Sequence, residues 1–263
     1  MNTAEFATTE FFEGNKTTVT LPSGKEVTIR EPNGFDDEVL SRHGNLVSGD
    51  SATMYLAGLI CRPDKKGTPY TELQPWLLND LNYLFLKQRI LNHGPILKFK
   101  HICANPTCKH HKNKLEIEVE VDLQESFDGD LSDPNYKPTG KKVKRYPNGE
   151  STEAEYKTDS GKLFKFKLLT AELEKKRLDL VEDDTNINTP LFIRELQFKN
   201  AKGEWEILVQ LRSFSSRELG RLRNHIKEVD ELFMPLVEWN CPTCQQPYAQ
   251  QLFLIPDFFW PTE

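Results

Sequence analysis

Four of the five cysteines fall into two close pairs, Cys103 and Cys108 in "CANPTC" and Cys241 and Cys244 in "CPTC". Thiolates spaced C-x2–4-C are ligands of structural zinc, which accepts four sulfurs tetrahedrally. Each pair alone supplies half a site. The first pair has His110 and His111 nearby and could complete a separate site with them, but the second pair has no matching histidine. One shared ion, held by Cys103, Cys108, Cys241 and Cys244, would fill both halves at once. The competing readings are unmetallated core thiols and a redox "CPTC", around which no βαβ pattern is found. His110 and His111 otherwise read as solvated turn residues. Cys61, in the apolar run "LAGLICRP", reads as a buried small hydrophobe.

A shared ion needs the two pairs to be structurally alike, although they lie far apart in the chain, and the surrounding sequence repeats accordingly. "SGKEVTIREP" begins at Ser23 and "SGKLFKFKLL" at Ser160, each a turn entering an alternating strand. From these serines to the first cysteine of each pair is 80 and 81 positions. Between them comes a Lys-Gly turn, at 64–67 and at 200–203, then an amphipathic helix. In the second copy Ser215 and Glu218 form a capping box ahead of the stripe Leu219, Leu222, Ile226 and Val229. In the first copy Leu77, Leu81, Leu84 and Leu91 make the stripe, widened by Leu78 and Phe85. Gly94, at the left-handed C′ position, and Pro95 should stop it. The alternating run Leu115 to Leu123 predicts that the first pair sits at the tip of a β-hairpin.

The 263 residues are 37% hydrophobic and 28% charged, enough for a sizeable core. A formal charge of −6 argues against a dedicated nucleic-acid binder. No window is apolar enough to cross a membrane, and the N-terminal residues lack the pattern of a signal peptide. An odd number of cysteines fits a reducing compartment better than a disulfide framework.

The expected organisation is an N-terminal arm (1–16), a first unit (17–123), an inserted loop or β-excursion (124–159), a second unit (160–256) and an aromatic tail (257–263). The excursion runs from acidic to basic. Its "PNG" at 147–149 is a hairpin signal. Its cluster Lys141, Lys142, Lys144 and Arg145 reads as a solvated hairpin, with an anionic partner such as nucleic acid as the alternative. Phe258, Phe259 and Trp260 in the tail, and Phe6, Phe11 and Phe12 in the arm, need cover. They fold back on the core or dock on another subunit. No phosphate-loop, dinucleotide, zincin or nucleophile-elbow motif occurs, so an enzyme is not expected.

"LPSGKEVTIREPNGFDDEVL", the helix ending "RILNHGP", the cysteine knuckle, and "CPTC" followed by "FLIPDFFWP" resemble the T4-type bacteriophage baseplate hub and hub-assembly proteins. The resemblance covers roughly residues 20 to 260, with the longer first knuckle and the 124–159 excursion as departures. It implies a non-enzymatic part of a contractile tail, in the virion or in the host cytoplasm during assembly. Its partners would be other tail and baseplate proteins, with Phe258, Phe259 and Trp260 as docking anchors. The expected fold is α+β. Two duplicated units, each a β-hairpin, helices and a Cys-knuckle strand pair, pack pseudo-symmetrically around one structural zinc per chain.

Overall fold

A computed structural model describes residues 15–34, 36, 38, 49–61, 73–181, 193–208, 214–254 and 258 of the chain. Two Thr/Val-rich strands, β1 (Lys16–Thr20) and β2 (Glu26–Arg30), form an antiparallel hairpin that buries Val19, Val27 and Ile29. Helix α1 (Gly49–Leu59) leads into β3 (Ile60–Cys61), which pairs with β2 at the sheet edge. Helix α2 (Leu78–His93) buries Leu81, Leu84 and Phe85 and ends at Gly94. Gly94 has the positive φ expected of it (76°), but its ψ of 175° is extended, not left-handed helical. The chain therefore leaves the helix straight into a second hairpin, β4 (Ile96–Ile102) and β5 (Glu116–Asp122), with the short helix α3 (Lys109–Lys112) in its loop. Asp122 then caps helix α4 (Leu123–Phe127), accepting from the Gln124 and Glu125 amides.

The second half presents similar elements in the same order. Strands β6 (Glu153–Lys157) and β7 (Leu163–Lys167) form a hairpin, followed by α5 (Ala171–Val181). Strands β8 (Gln197–Lys199) and β9 (Trp205–Ile207) extend that sheet to the order β6-β7-β8-β9. Helix α6 (Ser216–Val229) carries the expected capping box and buries Leu219, Leu222 and Ile226. It leads to the hairpin β10 (Leu236–Asn240) and β11 (Pro247–Gln251). The protein is thus α+β, built from small antiparallel sheets and helices.

Side-chain detail recurs between the halves. In the first turn the Leu21 amide donates to the Lys25 carbonyl and the Gly24 amide to Leu21. In the second, Thr158 donates to Lys162 and Gly161 to Thr158. Both glycines have positive φ, 86° and 83°, where a side chain would be strained. Each turn then docks on the start of its long helix. Asp80 accepts from the Ser23 amide at 3.0 Å, and Glu218 from the Ser160 hydroxyl at 3.0 Å. The Lys25 ammonium lies 3.7 Å from the Trp76 ring centre, and Lys162 lies 4.9 Å from that of Phe214. Each aromatic residue stands just before the N-cap of its helix.

The halves share their interior. The larger core joins Leu56, Leu84, Phe99 and Val119 to Val237, Leu252 and Phe258. A second core joins Leu77 and Tyr146 to Phe164, Phe166, Leu222 and Ile226. The segment expected to intervene is braced on both sides. Asp128 accepts from Tyr83 (2.5 Å) and pairs with Lys87 (2.7 Å). Tyr146 donates its hydroxyl to buried Asp230 (3.0 Å) and its amide to Pro22 (2.8 Å). Asp230 also accepts from the Leu169 amide and from Arg194, which offsets the cost of burying its charge. Two expectations change here. Residues 153–157 belong to the second hairpin, because β7 needs them as its antiparallel neighbour. The run before Pro147 forms no strand, because Val143 and Tyr146 donate their amides to Phe127 and Pro22 instead. The turn at 147–150 is present without a hairpin.

Asp80 is 3% exposed, and burial pushes its carboxyl up to about 6 against the Ser23 hydrogen bonds and the Lys25 charge, with Glu150 adding to the rise. Its folded pKa lies above its unfolded value, so its contribution to stability is present below about pH 4 and is lost as pH rises through 6. Two pKa units correspond to about 3 kcal/mol. Asp80→Asn should match the wild type in urea unfolding at pH 4 and be more stable than it at pH 7.5. An Asn variant less stable at pH 7.5 would show that the carboxylate charge itself is required.

Candidate metal centre

Antiparallel pairing carries both cysteine pairs to hairpin tips. Cys103 directly follows β4 and Cys241 directly follows β10, so the two halves offer their first sulfur at the same point of the hairpin. The second tip is tight. The Cys241 amide donates to Gln246 and the Gln245 amide to Cys241, with Gln245 at a φ of 57°. The first tip accommodates its extra residues as α3, closed by the Leu115 amide on the His110 carbonyl.

The four sulfurs lie within 4.8 Å of one another. Two separations that cross between halves, Cys103 to Cys244 and Cys108 to Cys241, are both 3.7 Å. Disulfide sulfurs stand about 2.05 Å apart, so these are free thiols. Four ligands about 2.3 Å from a central ion stand roughly 3.8 Å apart in a tetrahedron, close to the two 3.7 Å separations. It is compatible with a metal site. Cys103, Cys108 and Cys241 are buried and Cys244 is partly exposed.

Polar groups around the sulfurs suit thiolates. The Cys244 and Thr243 amides point at Cys241 and pull its thiol down to about 6. The Gln246 amide acts in the same direction on Cys244, but burial and the three neighbouring thiols push that group up to about 11. The Tyr248 hydroxyl donates to Cys103 Sγ at 3.0 Å and accepts from the Ala104 amide at 2.7 Å. His111 Nδ1 donates to the Cys103 carbonyl at 2.7 Å, and neither His111 nor His110 joins the sulfur cluster. Phe99, His101, Trp239 and Tyr248 pack ring against ring beside it, with His101 and Tyr248 centroids 4.4 Å apart. Burial lowers the His101 pKa, which favours a neutral ring in this wall. Sequence reasoning missed these rings. Trp239 and Tyr248 are direct cross-strand partners, and counting outward from the "CPTC" turn would have paired them.

Other expected site residues fall elsewhere. Cys61 is partly exposed because β3 is an edge strand, not buried as its apolar run implied. Phe258 is fully buried, its ring 5.4 Å from Phe253, which in turn packs on Phe85. It is part of the core and so is not a free docking anchor. Phe259, Trp260, Phe6, Phe11 and Phe12 lie outside the described residues, as does the 64–67 turn. In the basic cluster, Lys141 pairs with Glu238 (2.6 Å), Lys144 pairs with Glu231, and Arg145 binds the Leu131 and Asp133 carbonyls. Among the described residues only Lys142 of the four has no side-chain partner. His225 stacks on Tyr156 and serves packing.

Compared with protein-family models, curated proteins and solved structures, the chain finds no match. No helix among the described residues is long and apolar enough to cross a membrane.

Two substitutions separate site from core. Tyr248→Phe leaves a sulfur and an amide without their partner and should cost about 1–3 kcal/mol in denaturant unfolding. Phe258→Ala should cost about 3–5 kcal/mol by emptying a core position. A neutral Phe258→Ala would return that ring to the surface.

Proposed function

We propose that one zinc ion joins the four thiolates and clamps together two duplicated units, making a rigid structural part of a contractile-tail phage baseplate or of its assembly machinery. The observation that carries the clamp is the sulfur cluster: two cysteines from each half, all four sulfurs within 4.8 Å of one another. Four protein ligands fill the coordination shell of zinc and leave no position for a reacting water, so the role is structural. Structural zinc contributes on the order of 10–16 kcal/mol in small zinc-finger systems, as much as the whole stability of an ordinary domain. The duplication is supported by the repeated order of elements, the matching Ser-Gly-Lys turns and the parallel contacts of Asp80 and Glu218. The baseplate role rests on the resemblance in the turns, helices and "CPTC" segment. Nucleic-acid binding through the basic cluster is the weaker reading, because Lys141, Lys144 and Arg145 are held by partners within the chain.

Purified protein should carry one zinc per chain by elemental analysis. Under native conditions only Cys61 should react with a thiol reagent, and all five cysteines after chelation in denaturant. The double variant Cys241→Ser/Cys244→Ser should lose the metal together with cooperative unfolding. Two zincs per chain would mean separate sites, and none would reduce both knuckles to core thiols. For the baseplate role, mass spectrometry of purified phage tails and tail intermediates should find the protein. Normal tail assembly after disruption of its gene would overturn that role.

A further inference from the structure

We infer that the cleft between the two knuckle hairpins is a docking groove for an extended, basic segment of a partner protein, which adds as a strand to the free edge of β10. The inference deepens the structural role proposed above and rests on it only for the source of the strand.

Register defines the edge. The Cys241 amide bonds the Gln246 carbonyl and the Leu252 amide bonds the Pro235 carbonyl. In an antiparallel pair the bonded positions alternate, so Leu236, Glu238 and Asn240 turn their main-chain groups away from β11. The same argument from the Leu123 amide on the Pro95 carbonyl turns Glu118, Glu120 and Asp122 away from β4. Among the described residues both hairpins are two-stranded, and no strand of those residues pairs with either edge. Residues 120–122 of β5 and 236–238 of β10 line one open cleft of about 600 Å³, a size that accommodates a short peptide. An unpaired edge of this kind is a template for another chain.

The present occupant of the edge indicates the chemistry of the missing one. Lys141 Nζ donates to the Leu236 carbonyl at 3.0 Å and to the Glu238 carboxylate at 2.6 Å. One cationic side chain thus supplies the donor that an added strand would bring and the charge that its side chain would bring. Glu120, paired with Lys98, lines the cleft with Asp122, Glu125 and Glu238 against Lys141 and Lys142, four carboxylates to three lysines, and partly buried Val121 is its apolar part, with Phe127 and Val237 buried behind it. A strand that alternates basic and apolar residues meets both, its basic residues against the carboxylates and its apolar ones against Val121.

The test uses the full zinc-loaded chain and two nine-residue peptides, one alternating lysine with valine, the other glutamate with valine. The basic peptide should bind, and it should slow hydrogen exchange of the Glu238 and Asn240 amides at least about tenfold. Glu238→Lys changes an exposed side chain and should abolish that binding while retaining zinc and melting temperature. Lys141→Ala, which clears the edge, should tighten it. Absence of binding would overturn the proposal. So would binding that protects no edge amide, which is diffuse charge attraction. Edge amides already protected in the free chain, and released by deleting residues 1–14, would assign the groove to the chain's own arm and overturn it too. These readouts are made on the isolated chain, so their failure is distinct from absence of the protein from phage tails.

Discussion

The meeting of four sulfurs at two hairpin tips is the contact on which the other arrangements depend. A two-stranded hairpin is marginally stable alone in water, and this chain has one at the end of each half. Among the described residues neither hairpin gains a third strand. They meet through the sulfur cluster and the ring wall of Phe99, His101, Trp239 and Tyr248, and their inner side chains join the larger core. Two sulfur contacts of 3.7 Å each take one member from either half. Separating the halves therefore breaks both contacts together.

The helices deliver the hairpins to that meeting point. Helix α2 runs into β4 through Gly94, and the segment after α6 runs into β10 after the buried Asp230 and Phe233. Each helix is fixed at its start by a carboxylate that accepts from the serine of its own Ser-Gly-Lys turn. The halves differ where the chain between them is used. Tyr146 braces the first turn through Pro22 and reaches Asp230 across the boundary, whereas Ser160, Gly161 and Lys162 in the second turn stay exposed. The connecting segment is therefore a brace between the halves, and its basic residues take part in that bracing.

A cluster of four sulfurs with amide and hydroxyl donors turned toward it is suited to holding shape. The groups that would otherwise suggest reactivity are similarly engaged. Asp128 and Asp230 each accept from a tyrosine and pair with a cation. His111 donates to a carbonyl and His225 stacks on Tyr156. The open cleft lined by residues 120–122 and 236–238 lies at the ends of the two hairpins away from their cysteine tips.

The sequence by itself determined the local elements and the identity of the four clustered cysteines. Turn glycines, the Ser215 capping box, the leucine stripes and the alternation of β5 are short-range signals, and each was legible because the residues that decide it are neighbours. The cysteine pairs were legible for the same reason, through their spacing and the repeated landmarks around them. Only the tertiary structure decided what each side chain meets at long range. It brought Tyr248 to Cys103, sealed Phe258 into the core, placed Cys61 on an edge strand, drew Lys141, Lys144 and Arg145 onto acceptors within the chain, and gave residues 153–157 to the second hairpin. These outcomes depend on which surfaces are left to be covered once the helices and hairpins have packed. That is a property of the assembled body, and local residue spacing does not encode it.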